Sequence, residues 1–486
     1  MVPESAPNPA ADRGGGLLAL AMVLPLCAGL ALLAAVNLWT PCLPGWDGAY
    51  YFVQVRGLLQ GGSLPLPDFP GLFLGLAGLA KILALGMDVR RAIVEAVRWT
   101  DTLLPLLILL PAFLLVRDFS RGEPTGRRAP AALLVGLLAV ASGSPLTMAG
   151  GMIKNGAALP FSLLYAYALD RSLRDPGVRG GAVALLCLLA SSFTHASALA
   201  LNLLFTVALG LARLRAPGGT SGPLLGGLLA SGLMALLLFR LDPERGARFL
   251  EALLRPGTLF ALPTSAALAM PSWWTGTLLG LLGLVALGIR PRRVRPGERP
   301  LLAAATVTTL ALCFPLLRED VLERTALVSF VPGLVPAAYL SSRHRLGPAL
   351  LAPVALLGLL HGLLAVKTLR LTGLQAPALA ELEDLRGFLP QGRNLVMVHQ
   401  RLRWWASWSL GIPFNCSAGR ALAARRDHDS LLLLEEAGSG AFGAEPARLS
   451  PDPGGTLRDG GLLRGASFTV LKEGRYFRLS RLDGPP

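Results

Sequence analysis

An acid at the edge of an apolar run, followed by an aromatic pair, is the feature of this sequence best suited to chemistry. Asp47 stands in Trp46-Asp47-Gly48-Ala49-Tyr50-Tyr51, just after the first long apolar stretch, and the same loop returns through Pro65-Leu66-Pro67-Asp68-Phe69-Pro70. A carboxylate held at a membrane rim is placed to act as the catalytic acid residue of a membrane enzyme. Further polar groups recur between later apolar runs: Lys154-Asn155, Thr194-His195, Arg318-Glu319-Asp320 and Glu323-Arg324. Lysine is scarce, four against 41 arginines, which sets Lys154 apart. His195 sits between two short apolar runs, and ionisable groups at membrane depth are functional candidates by default.

Each of these residues also has a plain structural reading. Asp is a favoured helix N-cap, so Asp47 suits the start of an interfacial helix. Asp68 precedes Phe-Pro, where a turn is natural. Lys154 suits a helix end from which its amine snorkels to water, and a lone His often satisfies a local hydrogen bond. Trp273-Trp274 reads as an aromatic belt. Trp404, Trp405 and Trp408 fall at helical spacing and suit core packing, with a membrane contact or an acceptor groove as the other readings.

Composition places these groups in a membrane. Of 486 residues, 53% are hydrophobic and 15% are charged, with a mean hydropathy of +0.55; soluble domains carry about 25% charged residues. The net charge of +15 falls in short arginine clusters between apolar runs, the pattern that holds loops on the cytoplasmic side. No separate basic domain or aromatic-basic motif is present, which argues against nucleic acid as a partner. No CxxC or Cys/His cluster marks a zinc site.

The elements that must position the candidates follow from run length. A polar N-terminal stretch, residues 1–16, reads as disordered and cytoplasmic. Spans are expected at 17–36, 99–116, 129–148, 156–173, 181–193, 196–211, 223–239, 272–289, 301–317, 325–340 and 350–366, about eleven in all. Residues 37–98 form a long first outer loop whose later part, from Gly71 to Arg98, makes helices at the interface. That choice keeps Arg117, Arg121, Arg127 and Arg128 inside. An odd count puts residues 367–486 opposite the N-terminus, as a small soluble α/β domain: a helix over 376–388, strands at 395–398 and 431–434, and a hairpin over 467–479 turning at Glu473-Gly474. The fold class is therefore mainly α, a polytopic transmembrane helix bundle with a small C-terminal extracytoplasmic α/β domain.

In this layout the chain resembles the GT-C superfamily of glycosyltransferases, including its mannosyltransferase-like and aminoarabinose-transferase-like members. The resemblance rests on Asp47 soon after span one, on Pro67-Asp68-Phe69-Pro70, on Gly150-Gly151-Met152-Ile153-Lys154-Asn155, on Glu323-Arg324 before a late span, and on the terminal soluble domain. It implies an enzyme that moves a sugar from a polyprenyl-phosphate donor to a lipid, glycan or protein acceptor, with inversion, at the outer face of a bacterial inner membrane. Asp47 then takes the acceptor's proton, and Asp68 holds the acceptor or a cation. Lys154, Arg324 and Arg318 meet the donor phosphate, because fixed cations stabilise a leaving anion and an arginine fork grips phosphate oxygens in pairs. Tyr50, Tyr51, His195 and Asn155 contact substrate. The family often carries paired acids in the first loop, whereas Asp47 is followed by Gly48, so a divalent cation stays open as a cofactor. A lipid or polysaccharide transporter or flippase, or a non-catalytic assembly protein, is the alternative. A transporter favours internal repeats and midplane acids, and neither is evident here.

The topology makes a direct prediction. A single cysteine at position 440, in a background without the native cysteines, is expected to react with a membrane-impermeant maleimide from the extracytoplasmic side. Labelling only from the cytoplasmic side contradicts the odd span count.

Overall fold

The computed structural model describes residues 9–483 apart from 41, 46, 122, 176, 215–221, 266–268, 289–296, 417, 438–439 and 443–465. Trp46 and the basic run from Arg290 to Arg295 thus lie outside the described residues. Every predicted span overlaps a helix, but 99–116, 129–148 and 325–340 each cross a break in the helix, and the helix under 301–317 ends at Leu312. The first is α1 (Pro9–Asn37), which begins eight residues before the apolar run. The first loop holds α2 (Gly48–Gly61) and α3 (Gly71–Leu83), then α4 (Val89–Leu103) continues through a 3-10 turn into α5 (Leu109–Phe119). Then follow α6 (Thr125–Val140), the short α7 (Gly143–Thr147), α8 (Ile153–Arg174), α9 (Val178–Thr194), α10 (Ala196–Leu214) and α11 (Gly222–Leu241). A surface helix α12 (Pro243–Leu254) precedes α13 (Pro271–Gly288), α14 (Arg299–Leu312), α15 (Glu319–Val328), α16 (Phe330–Arg343) and α17 (Gly347–Thr372).

Among the described residues, seven helices are long and apolar enough to cross a membrane, or eight if α15 and α16, bent by 42°, form one broken span; α3, α9 and α14 are shorter apolar helices. Helix α11 shows why these are lipid-facing. It is apolar all round, and Leu229, Leu233 and Leu236 stay 65%, 67% and 68% exposed, which only a hydrocarbon surrounding tolerates. One boundary moves. The span expected to begin at Trp99 starts at Val89, because the Asp88 carboxylate caps the helix by accepting from the Arg91 N–H at 3.0 Å and Ala92, Ile93, Ala96 and Val97 are buried. Arg90, in the first turn of this helix, pairs with Glu383 of the C-terminal domain.

The two ends of the bundle differ in chemistry. Helix α8 opens at Ile153-Lys154 and closes with Asp170, Arg171 and Arg174; its 22 residues span about 33 Å. At the closing end the buried Asp170 takes Arg174 at 2.7 Å and Arg213 at 3.0 Å, while Arg343 reaches Glu298 at 2.9 Å and Glu123 at 3.5 Å. The opening end meets the first loop and the C-terminal domain.

That domain contains α18 (Ala376–Asp384) with a 3-10 turn at 385–388, α19 (Arg403–Leu410) and α20 (Ala418–Ala423). Its strands are β1 (Asn394–Val398), β2 (Phe414–Asn415), β3 (Ser430–Glu436), β4 (Phe468–Glu473) and β5 (Phe477–Leu482), in the order β2-β1-β3-β5-β4. β1 runs parallel to both β2 and β3, and β4–β5 form the expected antiparallel hairpin. Side chains alternate between the faces. Leu395, Met397, Leu431 and Leu433 join a small cluster on one face. Val396, Val398, Leu432 and Leu434 join a large one that also holds Tyr50, Phe52, Phe73 and Trp405. The first loop and the C-terminal domain therefore share one core.

Trp405 is the largest fully buried side chain and meets Phe52 of α2 ring to edge at 6.0 Å. Trp405→Ala is expected to cost about 3–5 kcal/mol and to loosen the domain from the loop. Limited proteolysis in detergent should then release the C-terminal domain earlier than in the wild type; an unchanged cleavage pattern contradicts the shared core.

Candidate active site

The site is built where three chain regions meet at the opening end of α8. The backbone brings the first two together. Gly45 and Gly150 take φ of +84° and +76°, a left-handed conformation that glycine adopts without strain. A Cβ on Gly150 would lie 2.5 Å from Pro44 Cγ, and one on Gly45 would lie 3.2 Å from Gly151 Cα. The residues leading to Asp47 thus pack on the turn leading to Lys154 with no room for side chains. The Asp101 carboxylate of α4 fixes that turn by accepting the Gly150 N–H at 2.6 Å.

Asp47 does stand at the N-terminus of α2, yet its side chain makes no capping hydrogen bond. Instead Oδ1 accepts from Trp404 Nε1 at 2.8 Å and from Arg403 Nη2 at 3.3 Å, and the side chain is 50% exposed. Lys154, in the first turn of α8, does not snorkel outward. It is buried, with its ammonium on Asp68 Oδ2 and 5.2 Å from the Tyr50 ring centroid. Asp68 is buried as well. Its Oδ2 also takes the Tyr50 hydroxyl, and Oδ1 accepts its neighbour's Phe69 N–H at 2.8 Å. Gln54 completes the network, donating to the Tyr50 oxygen and the Leu66 carbonyl at 3.0 Å each and accepting the Leu66 N–H at 3.1 Å. Tyr51 accepts the Lys154 backbone N–H at 3.3 Å, one of the donors a helix start leaves open. Burial pushes the Tyr51 hydroxyl well above its ordinary pKa, so it stays protonated.

His195 breaks the chain between α9 and α10 with an extended backbone. Its Nδ1 lies 2.5 Å from the Ser197 oxygen and accepts the Ser197 N–H at 3.0 Å; the Ser197 hydroxyl donates to Asn155 Oδ1 at 2.9 Å. Arg324 projects from α15. A cavity of about 520 Å³ gathers these parts: Asp47, Lys154, Asn155, His195, Arg324 and Arg403 all line it, with Tyr50, Tyr51 and Trp404 in its wall.

Two sequence candidates are placed differently from the rest. Asp68 lies behind the wall, holding Lys154 and Tyr50 rather than facing the cavity. Arg318 does not line it; its guanidinium grips Asp320 at 2.6 and 2.7 Å. Sequence reasoning passed over Arg403, whose only signal was its place beside the tryptophan pair. Among the described residues no group of three His, Cys, Asp or Glu side chains is arranged to hold a metal ion.

Neither a protein-family model nor a curated protein sequence matches the chain. Solved structures do. The chain is similar to ArnT from Cupriavidus metallidurans bound to undecaprenyl phosphate, with a TM-score of 0.55 and 13% identity over 97% of this chain and 99% of that one. It is similar to the same protein in the apo state, with a TM-score of 0.54 and 13% identity over 98% of this chain and all of that one. The chain shares the fold of these structures. The likeness runs over nearly the whole length of both chains.

The buried Asp68–Lys154 pair is a clear target. Asp68→Asn strands an ammonium in a low-dielectric wall, and breaking one partner of a buried pair costs roughly 3–5 kcal/mol. Thermal unfolding in detergent should show a large loss for Asp68→Asn and partial recovery in Asp68→Asn/Lys154→Met. Equal stability of the wild type and the single variant would remove the pair from its structural role.

Proposed function

We propose that the chain is a membrane glycosyltransferase that moves a sugar from a polyprenyl-phosphate donor to an acceptor hydroxyl in the cavity at Asp47. The observation that carries this reading is one half-exposed carboxylate facing three cations, Lys154, Arg324 and Arg403, in a cavity of the GT-C fold. The similar ArnT structure, itself bound to undecaprenyl phosphate, supports a lipid phosphate as the donor's leaving group.

The chemistry follows from the placement. The acceptor oxygen attacks the anomeric carbon of the donor sugar. Its proton passes to Asp47, the carbon–phosphate oxygen bond breaks, and polyprenyl phosphate leaves as an anion. Among the described residues both donors to Asp47 meet Oδ1, which leaves Oδ2 for the hydroxyl proton. Attack opposite the leaving phosphate inverts the anomeric centre. Arg324 and Arg403 supply guanidinium forks for the phosphate oxygens, and Lys154 supplies a point charge. Three cations against Asp47 and Asp68 leave one net positive charge, suited to the anion formed at the transition state. Asp68 acts as a positioning residue: it aims Lys154 and Tyr50. Tyr51, Asn155 and His195 shape the wall against the sugar. In this reading the cavity and the C-terminal domain lie on the extracytoplasmic side of the inner membrane. The acceptor is a lipid, a glycan or a protein.

Asp47→Asn keeps the Trp404 hydrogen bond and removes the base, so it is expected to fold normally and to lose transfer by at least the 10²–10⁴-fold typical of a general base. Glycolipid and surface-glycan profiles would be compared in cells lacking the protein, and in cells carrying wild type or Asp47→Asn at equal levels. One glycan should vanish in the deletion, return with wild type and stay absent with Asp47→Asn. Its return with Asp47→Asn would remove Asp47 as the base and bring a transport role forward.

A further inference from the structure

A second cavity, of about 560 Å³, lies on the far side of the α2–α19 contact from Asp47. Three arginines from separate parts of the chain line it: Arg56 of α2, Arg90 of α4 and Arg386 of the 3-10 turn at 385–388. The Trp408 indole forms one wall, with the Arg56 and Arg90 guanidinium carbons 5.3 and 5.0 Å from its ring centroid. Arg56 is pinned by the carbonyls of Ser407 at 3.0 Å and Trp408 at 3.2 Å. Arg90 meets Glu383. With Asp88 also in the lining, three guanidinium groups stand against two carboxylates, leaving one net positive charge. Burial, with Arg90 and Arg386 close by, holds Arg56 below its ordinary pKa, as expected where like charges converge.

We propose that this cavity binds a phosphate ester borne on a head group, at a site separate from the Asp47 cavity. Guanidinium forks on several elements match phosphate oxygens, and an aromatic face beside them suits the apolar side of a sugar or glycerol unit. The cavity borders the start of a helical segment long and apolar enough to cross a membrane. Val89, Arg90 and Ile93 belong to the first turns of the apolar segment Val89–Phe119. Beside them Leu85 and Val89 are 89% and 53% exposed, an apolar rim that suits lipid contact. Ring contacts of Tyr50 with Trp404 at 4.8 Å and of Phe52 with Trp408 at 5.2 Å fill the space between the two cavities. A ligand here is thus held apart from Asp47.

The test uses the full chain in phosphatidylcholine nanodiscs, with binding read by microscale thermophoresis. The probes are dihexanoyl phosphatidic acid, glycerol 3-phosphate and, as control, dihexanoyl phosphatidylcholine. Phosphatidic acid is expected to bind, and Arg90→Gln and Arg386→Gln are each expected to weaken it about tenfold, the effect of one lost charge-assisted hydrogen bond. Arg345→Gln, at an exposed position outside both cavities, should leave it unchanged. Arg386 is exposed, so Arg386→Gln carries the test alone should Arg90→Gln lose its fold. Glycerol 3-phosphate binding with the same sensitivity assigns a soluble phosphate ester as ligand; binding of phosphatidic acid alone assigns a lipid. Failure of both phosphate probes, or binding indifferent to Arg386→Gln, overturns the proposal.

Discussion

The buried contact between Lys154 and Asp68 is the constraint on which the site depends. An ammonium and a carboxylate enclosed in protein need each other, because either one alone carries a large desolvation cost. The pair joins the first turn of α8 to the Pro-rich return of the first loop, 86 residues apart. Hydrogen bonds from the start of α2 join the same network. Tyr50 also donates to Asp68, Gln54 ties Tyr50 to Leu66, and Tyr51 caps the Lys154 N–H. A loop that would otherwise be mobile becomes a wall, and the tip of that wall is Asp47.

The C-terminal domain supplies the other constraint. Trp404 and Arg403 reach Asp47 from more than 350 residues away, and the shared apolar core holds α19 against α2. The carboxylate is therefore positioned by a domain contact, not by its own helix. The proposed transfer needs a geometry that tolerates little misplacement, so mutations in the domain's core are expected to act on the site through this contact. The same α19–α2 seam separates the two cavities, with Trp404 facing one and Trp408 the other.

Much of this was legible in the sequence. Apolar run length put a helix under each expected span, because a bilayer demands about twenty apolar residues, although among the described residues seven or eight helices, not about eleven, are long and apolar enough to cross. Strand alternation and the Glu473-Gly474 turn placed the hairpin at β4–β5. The gathering of Asp47, Lys154, His195 and Arg324 was legible only as a shared membrane face. Three features were not legible, each for a physical reason. The start of α4 at Val89 depends on the Asp88 cap and on Arg90 finding Glu383 in another domain, a tertiary partner that no local pattern shows. Arg403 looks like any surface arginine until α19 is docked. Asp68 and Arg318 carry the same residue types as their neighbours, and only burial behind Tyr50 and pairing with Asp320 set them apart.

The central claim is that the cavity at Asp47 holds a lipid phosphate against Lys154, Arg324 and Arg403. Native mass spectrometry of the purified chain with undecaprenyl phosphate and with neutral undecaprenol tests it most directly. The account predicts a stable adduct with the phosphate and none with the alcohol. It also predicts that Arg324→Gln weakens the adduct and Asp47→Asn keeps it. Equal retention of the alcohol, or indifference of the phosphate adduct to Arg324→Gln, would contradict it.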